Sequence, residues 1–348
     1  MKPMNNYFID THQDISFYYF TGGAGLNFEI KDFAEDLENR HADIPKLIQS
    51  NTKVIFSAIF PLQLTVMPHS EKYLSDGYEA DMPAFTSRNP FSIAMEHVKI
   101  YHNLVKKHCK SLKMIQNKSD IHSIFNQNRV GILMSMEGSE ALEDPSDLEL
   151  FYKLGLRSIQ LTWNFDTKYA ASCMSKKDYG ITGEGEILIE EANRMGVILD
   201  IAHASKKSAM TILNVSKLPV IVSHGNIYSV KNHVRNIDDE VIENIYQNKG
   251  TIGFTFIGPA ISEKPNIESF AKHILHVYNH YGPDNLALGT DYFGLMSIKE
   301  PEGLENITKI EKLWQYLLQE GFSESDLEKI KYKNALRVIE SNGLKWPD

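Results

Sequence analysis

Cysteine is nearly missing from this sequence: its 348 residues include only Cys109 and Cys173. Two thiols make no disulfide framework and are too few for a thiolate zinc site, so the cytoplasm is the simplest compartment to expect. No run of about 18 apolar residues occurs, so no membrane span is expected. The opening MKPMNNYFIDTH lacks the long apolar stretch of a secretory signal. The closing ESNGLKWPD is polar, unlike a lipid-anchor tail. Basic charge is also in deficit. There are 36 Lys and Arg against 45 Asp and Glu, a formal net charge of -9. That balance argues against nucleic acid and anionic membrane as partners, since phosphate binding needs an excess of cations. No glycine-rich dinucleotide turn, internal repeat or low-complexity tract is found.

What is present is ordinary globular material, 42% hydrophobic and 23% charged, enough to bury a large core. Eight apolar, β-rich runs recur: 7–12, 53–61, 130–137, 157–163, 197–203, 219–224, 251–258 and 286–294. They are mostly continuous rather than alternating, as parallel strands buried on both faces require. Helical patterns lie between most of them, at 90–109, 145–155, 183–196, 238–250 and 267–282. Two more, at 307–319 and 323–341, close the chain. Strand–helix alternation repeated eight times predicts one α/β domain over 1–348, a (β/α)8 TIM barrel with C-terminal helices. An open doubly wound sheet is the alternative. Long excursions follow strand one (17–50) and strand two (62–90), on the face where barrel active sites form.

Ionisable residues cap the apolar runs. YFIDTHQDI leads a strand-like segment into Asp10, His12 and Asp14, which share a face if the strand persists. Strand three ends at Glu137, strand five at His203, strand six at His224, and strand eight runs into Asp291. Each has a bland reading: a core histidine bonded to a carbonyl, or a carboxylate capping a turn. Taken together at one barrel mouth, they supply nitrogen and oxygen ligands for a pair of divalent metals.

These residues carry a resemblance. DTHQD (10–14), HADIPKL (41–47), MSMEG (134–138) and GITGEGEILIEEANRMGVILDIAHAS (180–205) are followed by VIVSH (220–224), RNIDDE (235–240) and LGTDYFG (288–294). In that order, through nearly the whole chain, they resemble the membrane dipeptidase (renal dipeptidase) family of zinc barrels. The resemblance implies two zinc ions, one on His12 and Asp14 and one on His203 and His224, with Glu137 bridging. It implies Asp291 as proton carrier beside a metal-bridging hydroxide, and Arg235 as the holder of the substrate carboxylate. Chemistry is compatible with each role: paired metals acidify water, a carboxylate shuttles its proton, and a guanidinium matches a carboxylate in two parallel bonds. From the residues alone, an ion pair of Arg235 with Asp238 or Asp239 stays open. Those two aspartates also sit where a helix begins and cap it. A homodimer is expected on the resemblance alone.

One position departs. Where the family has a histidine contacting the substrate carbonyl after strand four, this chain has Trp163, in LTWNFDT. Indole donates one hydrogen bond and never becomes a cation. Trp163 therefore contacts substrate without charge or merely packs the mouth. His273, His276 and His280 share one helix face and read as a solvated surface, while His97, His102, His108 and His122 show no site spacing. The expected function is a zinc-dependent dipeptidase acting on a small dipeptide-like molecule. The alternatives are a related metal-dependent amidohydrolase opening another small amide or lactone, and a metal-binding barrel without peptidase activity.

Overall fold

A computed structural model describes residues 6–20, 30–61, 89–296 and 298–348. Most of the excursion expected over 62–90 lies outside them. Nine parallel strands form the sheet: β1 (Phe8–Gln13), β2 (Thr52–Ile59), β3 (Leu112–Met114), β4 (Val130–Met136), β5 (Leu156–Gln160), β6 (Ile198–Asp200), β7 (Ile221–Val222), β8 (Thr251–Phe254) and β9 (Leu286–Leu288). Eight of them close a barrel in the order β1-β2-β4-β5-β6-β7-β8-β9, and β9 returns to β1 through Asp10 opposite Leu288. With helices between strands and at the C-terminal end, this is the (β/α)8 TIM barrel expected from the sequence.

The ninth strand, β3, was not expected. It pairs with Val130–Ile132 of β4, while β5 pairs with Met134–Met136 higher up the same strand. Three residues with an exposed-leaning lysine in the middle give too short an apolar signal to read. The helix Lys206–Val215 was also unforeseen, because small and polar residues dilute its apolar stripe of Ala209, Ile212 and Leu213. Ser205 caps it by accepting from the Ser208 amide at 3.1 Å, two residues beyond His203. Of the expected excursion after strand one, Ile15–Phe20 and Ile44–Gln49 are helical.

Several apolar runs are longer than the strands they contain. Residues 197–203, 219–224 and 286–294 hold strands of three, two and three residues. Beyond the strand, each run is the turn that lifts His203, His224 or Asp291 out of the sheet. His203 and Asp291 sit in these turns with φ of 64° and 62°, a left-handed conformation uncommon for non-glycine residues.

Inside the barrel, Thr11 Oγ1 donates across the bore to the carbonyls of Ser223 (2.6 Å) and Leu288 (2.9 Å). The strands approach so closely that a Cβ on Gly289 would lie 1.8 Å from the Ser223 carbonyl oxygen. The C-terminal helix Asn334–Gly343 stoppers the opposite end. Its Val338 and Ile339, with Trp346, pack on Ile9, Val54, Leu133, Ile198 and Ala287, each such side chain contributing roughly 1.5–3 kcal/mol of burial. Asn334 Nδ2 donates to the Leu286 carbonyl and Asn342 Nδ2 to that of Pro219, so β9 and the entry to β7 are tied to that stopper. Among the described residues no helix is long and apolar enough to cross a membrane.

Candidate active site

The C-terminal ends of the strands bring together every ligand expected from the sequence. His12 closes β1, and its Nε2 lies 3.2 Å from Asp14 Oδ2, 3.5 Å from Glu137 Oε2 and 3.7 Å from Asp291 Oδ1. Glu137 follows β4 and turns its other oxygen the opposite way. Its Oε1 is 3.1 Å from His203 Nε2 and 3.4 Å from His224 Nε2. One carboxylate thus faces two separate donor sets. Within each, the ligand atoms lie within 4.8 Å of one another, and all are buried: His12, Asp14, Glu137 and Glu137, His203, His224. His12, His224 and Asp291 form a third such set.

Proton bookkeeping shows why a cation fits. His203 Nδ1 is 2.7 Å from Asn164 Oδ1, an acceptor, so Nδ1 carries the ring proton and Nε2 is a bare lone pair. That lone pair meets Glu137 Oε1 and lies 2.9 Å from His224 Nε2. Both nitrogens of His12 and Oδ2 of Asp14 are buried without a hydrogen-bond partner. Converging acceptors that no donor satisfies are costly in an interior, and metal ions satisfy them.

The electrostatics agree. Burial, then the positive field of Arg235, drives His203 down to about 3, and burial with His12 holds His224 well below its usual range. Both are therefore neutral, the form that ligates metal. Burial resists charge on His12, yet the Glu137 and Asp14 carboxylates overcome it and push its pKa well above the usual value. Burial would raise Glu137, but the opposing pull, led by the charge on His12, takes it well below the usual range. Asp291 is driven far up by burial first, with the Asp14 and Glu137 charges adding to the rise against the pull of His12. The cluster is a place that demands positive charge.

Asp291 is fixed by the backbone: its amide donates to the His12 carbonyl at 3.1 Å, and the Asp14 amide to that of Tyr292 at 2.9 Å. Gly294 leaves room for both carboxylates, since a Cβ there would be 2.3 Å from Asp14 Oδ2 and from Asp291 Oδ1. Asp10, read in the sequence with His12 and Asp14, takes a supporting place instead. It accepts from the Thr290 amide (2.9 Å), the Thr290 hydroxyl (2.8 Å) and Gln13 Nε2 (2.7 Å). Asp200 does the same for β7, accepting from the Ser223 amide at 2.9 Å. His41, within HADIPKL, accepts from the Phe293 amide, stacks on Tyr292 and pairs with Glu300, holding the Asp291 loop.

Trp163 follows β5 and lies at the mouth, 6% exposed, with its ring 5.9 Å from that of His203. It packs edge-on against Phe60 at 5.2 Å. Arg235 is 5% exposed, and its guanidinium donates to the His224 carbonyl at 3.3 Å. Its Nε has no partner, and no carboxylate pairs with it among the described residues. The alternative ion pair is thereby excluded. Asp238 instead caps the helix Asp239–Gln247 through the Val241 amide and pairs with Lys206, and Asp239 bonds Ser229 and His276.

His273 corrects the reading of a solvated helix face. It is fully buried, accepting the Ile227 amide at Nδ1 (3.0 Å) and facing the Ile261 carbonyl at Nε2 (3.1 Å). It clamps the loop that carries Arg235, whose Asn236 also donates to the Ala260 carbonyl. Helical spacing places His273 and His276 on similar sides; a buried patch on the neighbouring loop, invisible in local sequence, separates them.

Glu140, three residues past Glu137, has both carboxylate oxygens buried without a partner. Burial, reinforced by Glu137, raises it to about 7. The folded state then holds this proton more tightly than the unfolded chain, so stability falls as pH rises from about 4.5 through 7 and the loss is complete above that. Glu140→Gln is expected to stabilise the fold at pH 8 by on the order of 3 kcal/mol, read as a higher melting temperature. The gain should vanish near pH 4.5; a gain independent of pH would refute this account.

The chain's residues 4–344 match the model of the membrane dipeptidase family, peptidase family M19. The chain belongs to that family. The dipeptidase tcpJ of Claviceps purpurea is 31% identical over 326 residues, covering 91% of this chain and 73% of that relative. The dipeptidase verJ of Clonostachys rogersoniana is 28% identical over 337 residues, covering 96% and 83%. A metallopeptidase of Rhodobacter sphaeroides, solved with a phosphinate mimic of L-Ala-D-Ala, shares the fold with a TM-score of 0.79 at 21% identity, covering 96% of this chain and 99% of that one. This M19 member is a metal-dependent dipeptidase, and its cluster of histidines and carboxylates is fit to hold the metal that the family implies.

Proposed function

We propose that this dipeptidase cleaves the amide bond of a free dipeptide, or a dipeptide-like molecule, at a centre of two zinc ions. The observation that carries the reading is Glu137, which turns one oxygen toward His12 and the other toward His203 and His224. His12 and Asp14 would hold one ion, His203 and His224 the other, and Glu137 both. Nitrogen and oxygen donors of this mix suit zinc. Such a pair of ions, when bound, supplies Lewis acidity that polarises the scissile carbonyl and acidifies water.

The chain's own groups do the rest. Asp291, at its Oδ1, takes the proton of the attacking water and returns it to the leaving amine. Arg235, buried and lacking a carboxylate, binds the substrate's α-carboxylate and fixes the peptide's direction. Trp163, with Phe60 and Phe17, excludes water from the mouth and gives the carbonyl no cationic side chain.

Amine release from a panel of L-L and L-D dipeptides tests the reading, with zinc-loaded and then chelated protein. Cleavage should vanish on chelation and fall sharply when the C-terminal carboxylate is amidated. A protein holding two metals that cleaves no dipeptide would redirect the centre to another small amide or lactone.

A further inference from the structure

Two spaces of very different size meet at His203. The one above the ligands, walled by Phe17, Phe60, Trp163 and Met296, offers about 20 Å³, roughly one water molecule. The other, on the Arg235 side, offers about 270 Å³. We infer that this larger cavity receives the side chain of the substrate's C-terminal residue and selects a large apolar one, with a small residue on the amino side. The inference rests on the reading of Arg235 as carboxylate anchor.

The direction follows from covalent geometry. A carboxylate and its side chain share one α-carbon, so the side chain of the residue held by Arg235 starts at the edge of the space that Arg235 lines. The cavity has an aliphatic side, with Ala204, Ala209, Val222 and Val241, and a polar side that includes Ser172, Ser205 and Asn236. Apart from Arg235, its charged residues are already paired. Lys206 Nζ pairs with Asp238 at 2.9 Å and Glu240 at 2.6 Å, and Asp178 accepts from the Ser205 hydroxyl at 2.6 Å. Among the described residues, Arg235 is then the one unpaired charge in the wall, beside the neutral but unpartnered His233 Nε2 and Asn236 Oδ1. Two large apolar residues, Tyr228 and Val234, line the same cavity while 42% and 50% exposed, area that an apolar ligand would cover. On the amino side, the ring contacts of Phe60 with Phe17 (5.9 Å) and Trp163 (5.2 Å) close the space against a bulky group.

The test is kcat/KM of the zinc-loaded protein for Ala-Gly, for Ala-Leu and Ala-Phe in L and D forms of the second residue, and for the reversed Leu-Ala and Phe-Ala. Ala-Leu and Ala-Phe should exceed Ala-Gly, and exceed their reversed partners, by roughly 10- to 100-fold. Ala209→Phe, which fills the cavity, should collapse the Leu-to-Gly ratio toward one. A flat series, a preference for the reversed peptides, or a ratio unmoved in a folded Ala209→Phe protein would overturn the inference. If that variant fails to fold, the peptide series on the parent decides alone. Cleavage that depends on Arg235 but ignores the second side chain sinks only this inference. Failure to cleave any dipeptide sinks the underlying reading and this inference with it.

Discussion

Replacing Asp291 by Asn should leave the barrel folded and metal-loaded while kcat falls by about two to four orders of magnitude. Asparagine keeps the size of the side chain and its position under the His12 carbonyl, to which the residue 291 amide donates. It loses only the capacity to accept and return a proton. Measuring kcat together with metal content by elemental analysis separates the roles. Two metal equivalents with little turnover identify a proton carrier. Loss of one equivalent would instead make Asp291 a ligand, a role its grouping with His12 and His224 makes sterically open. Full turnover in Asp291→Asn would remove the residue from the reaction altogether. A parent protein that binds metal yet turns over no substrate would favour a metal-binding barrel over a hydrolase.

The second large effect concerns Arg235→Leu. Truncating one side of a buried charge pair commonly costs 2–5 kcal/mol, so kcat/KM for a free dipeptide should fall at least about 30-fold. The effect should fall on KM more than on kcat, because the α-carboxylate is bound equally in the ground and transition states. For an amidated substrate the two proteins should perform alike. Stability should move in the unfamiliar direction. Arg235 is a buried cation with no carboxylate partner among the described residues, so a leucine relieves a desolvation penalty and the melting temperature should hold or rise. An equal loss on acid and amide substrates, or a destabilised variant, would reassign Arg235 to a structural role.

The barrel was legible because parallel strands buried on both sides leave unbroken apolar runs: five of the eight barrel strands lie within such a run, and the other three overrun one by a single residue. The ligands were legible because a hydrophobic strand that ends in histidine or carboxylate violates the local pattern without any local compensation. What stayed hidden was relational. Nothing near residue 164 announces that Asn164 fixes the tautomer of His203, nor does the Asp10 neighbourhood reveal Thr290 as its partner. His273 looked like one of three surface histidines because its distinguishing feature, the Ile227 amide, is 46 residues away. Arg235 was undecided until the two nearby aspartates were seen to be taken by Lys206, His276 and a helix terminus. Pairing over long separations is set by the fold, and local sequence carries no record of it.

The wide spacing of the ligands along the chain also sets a clock on synthesis. Thr290 bonds Asp10 across 280 residues, and it is this contact that brings the Asp291 turn onto His12. At about 5–20 residues per second, roughly 15 to 55 s separate the two segments' emergence from the ribosome. During that interval His12 and Asp14 have no closed barrel to hold them against their partners. A chain stopped before β9 lacks both the strand that returns to β1 and the Asp291 turn, so it cannot assemble the whole cluster. Completion of the cluster therefore reports completed translation and closure of the ring.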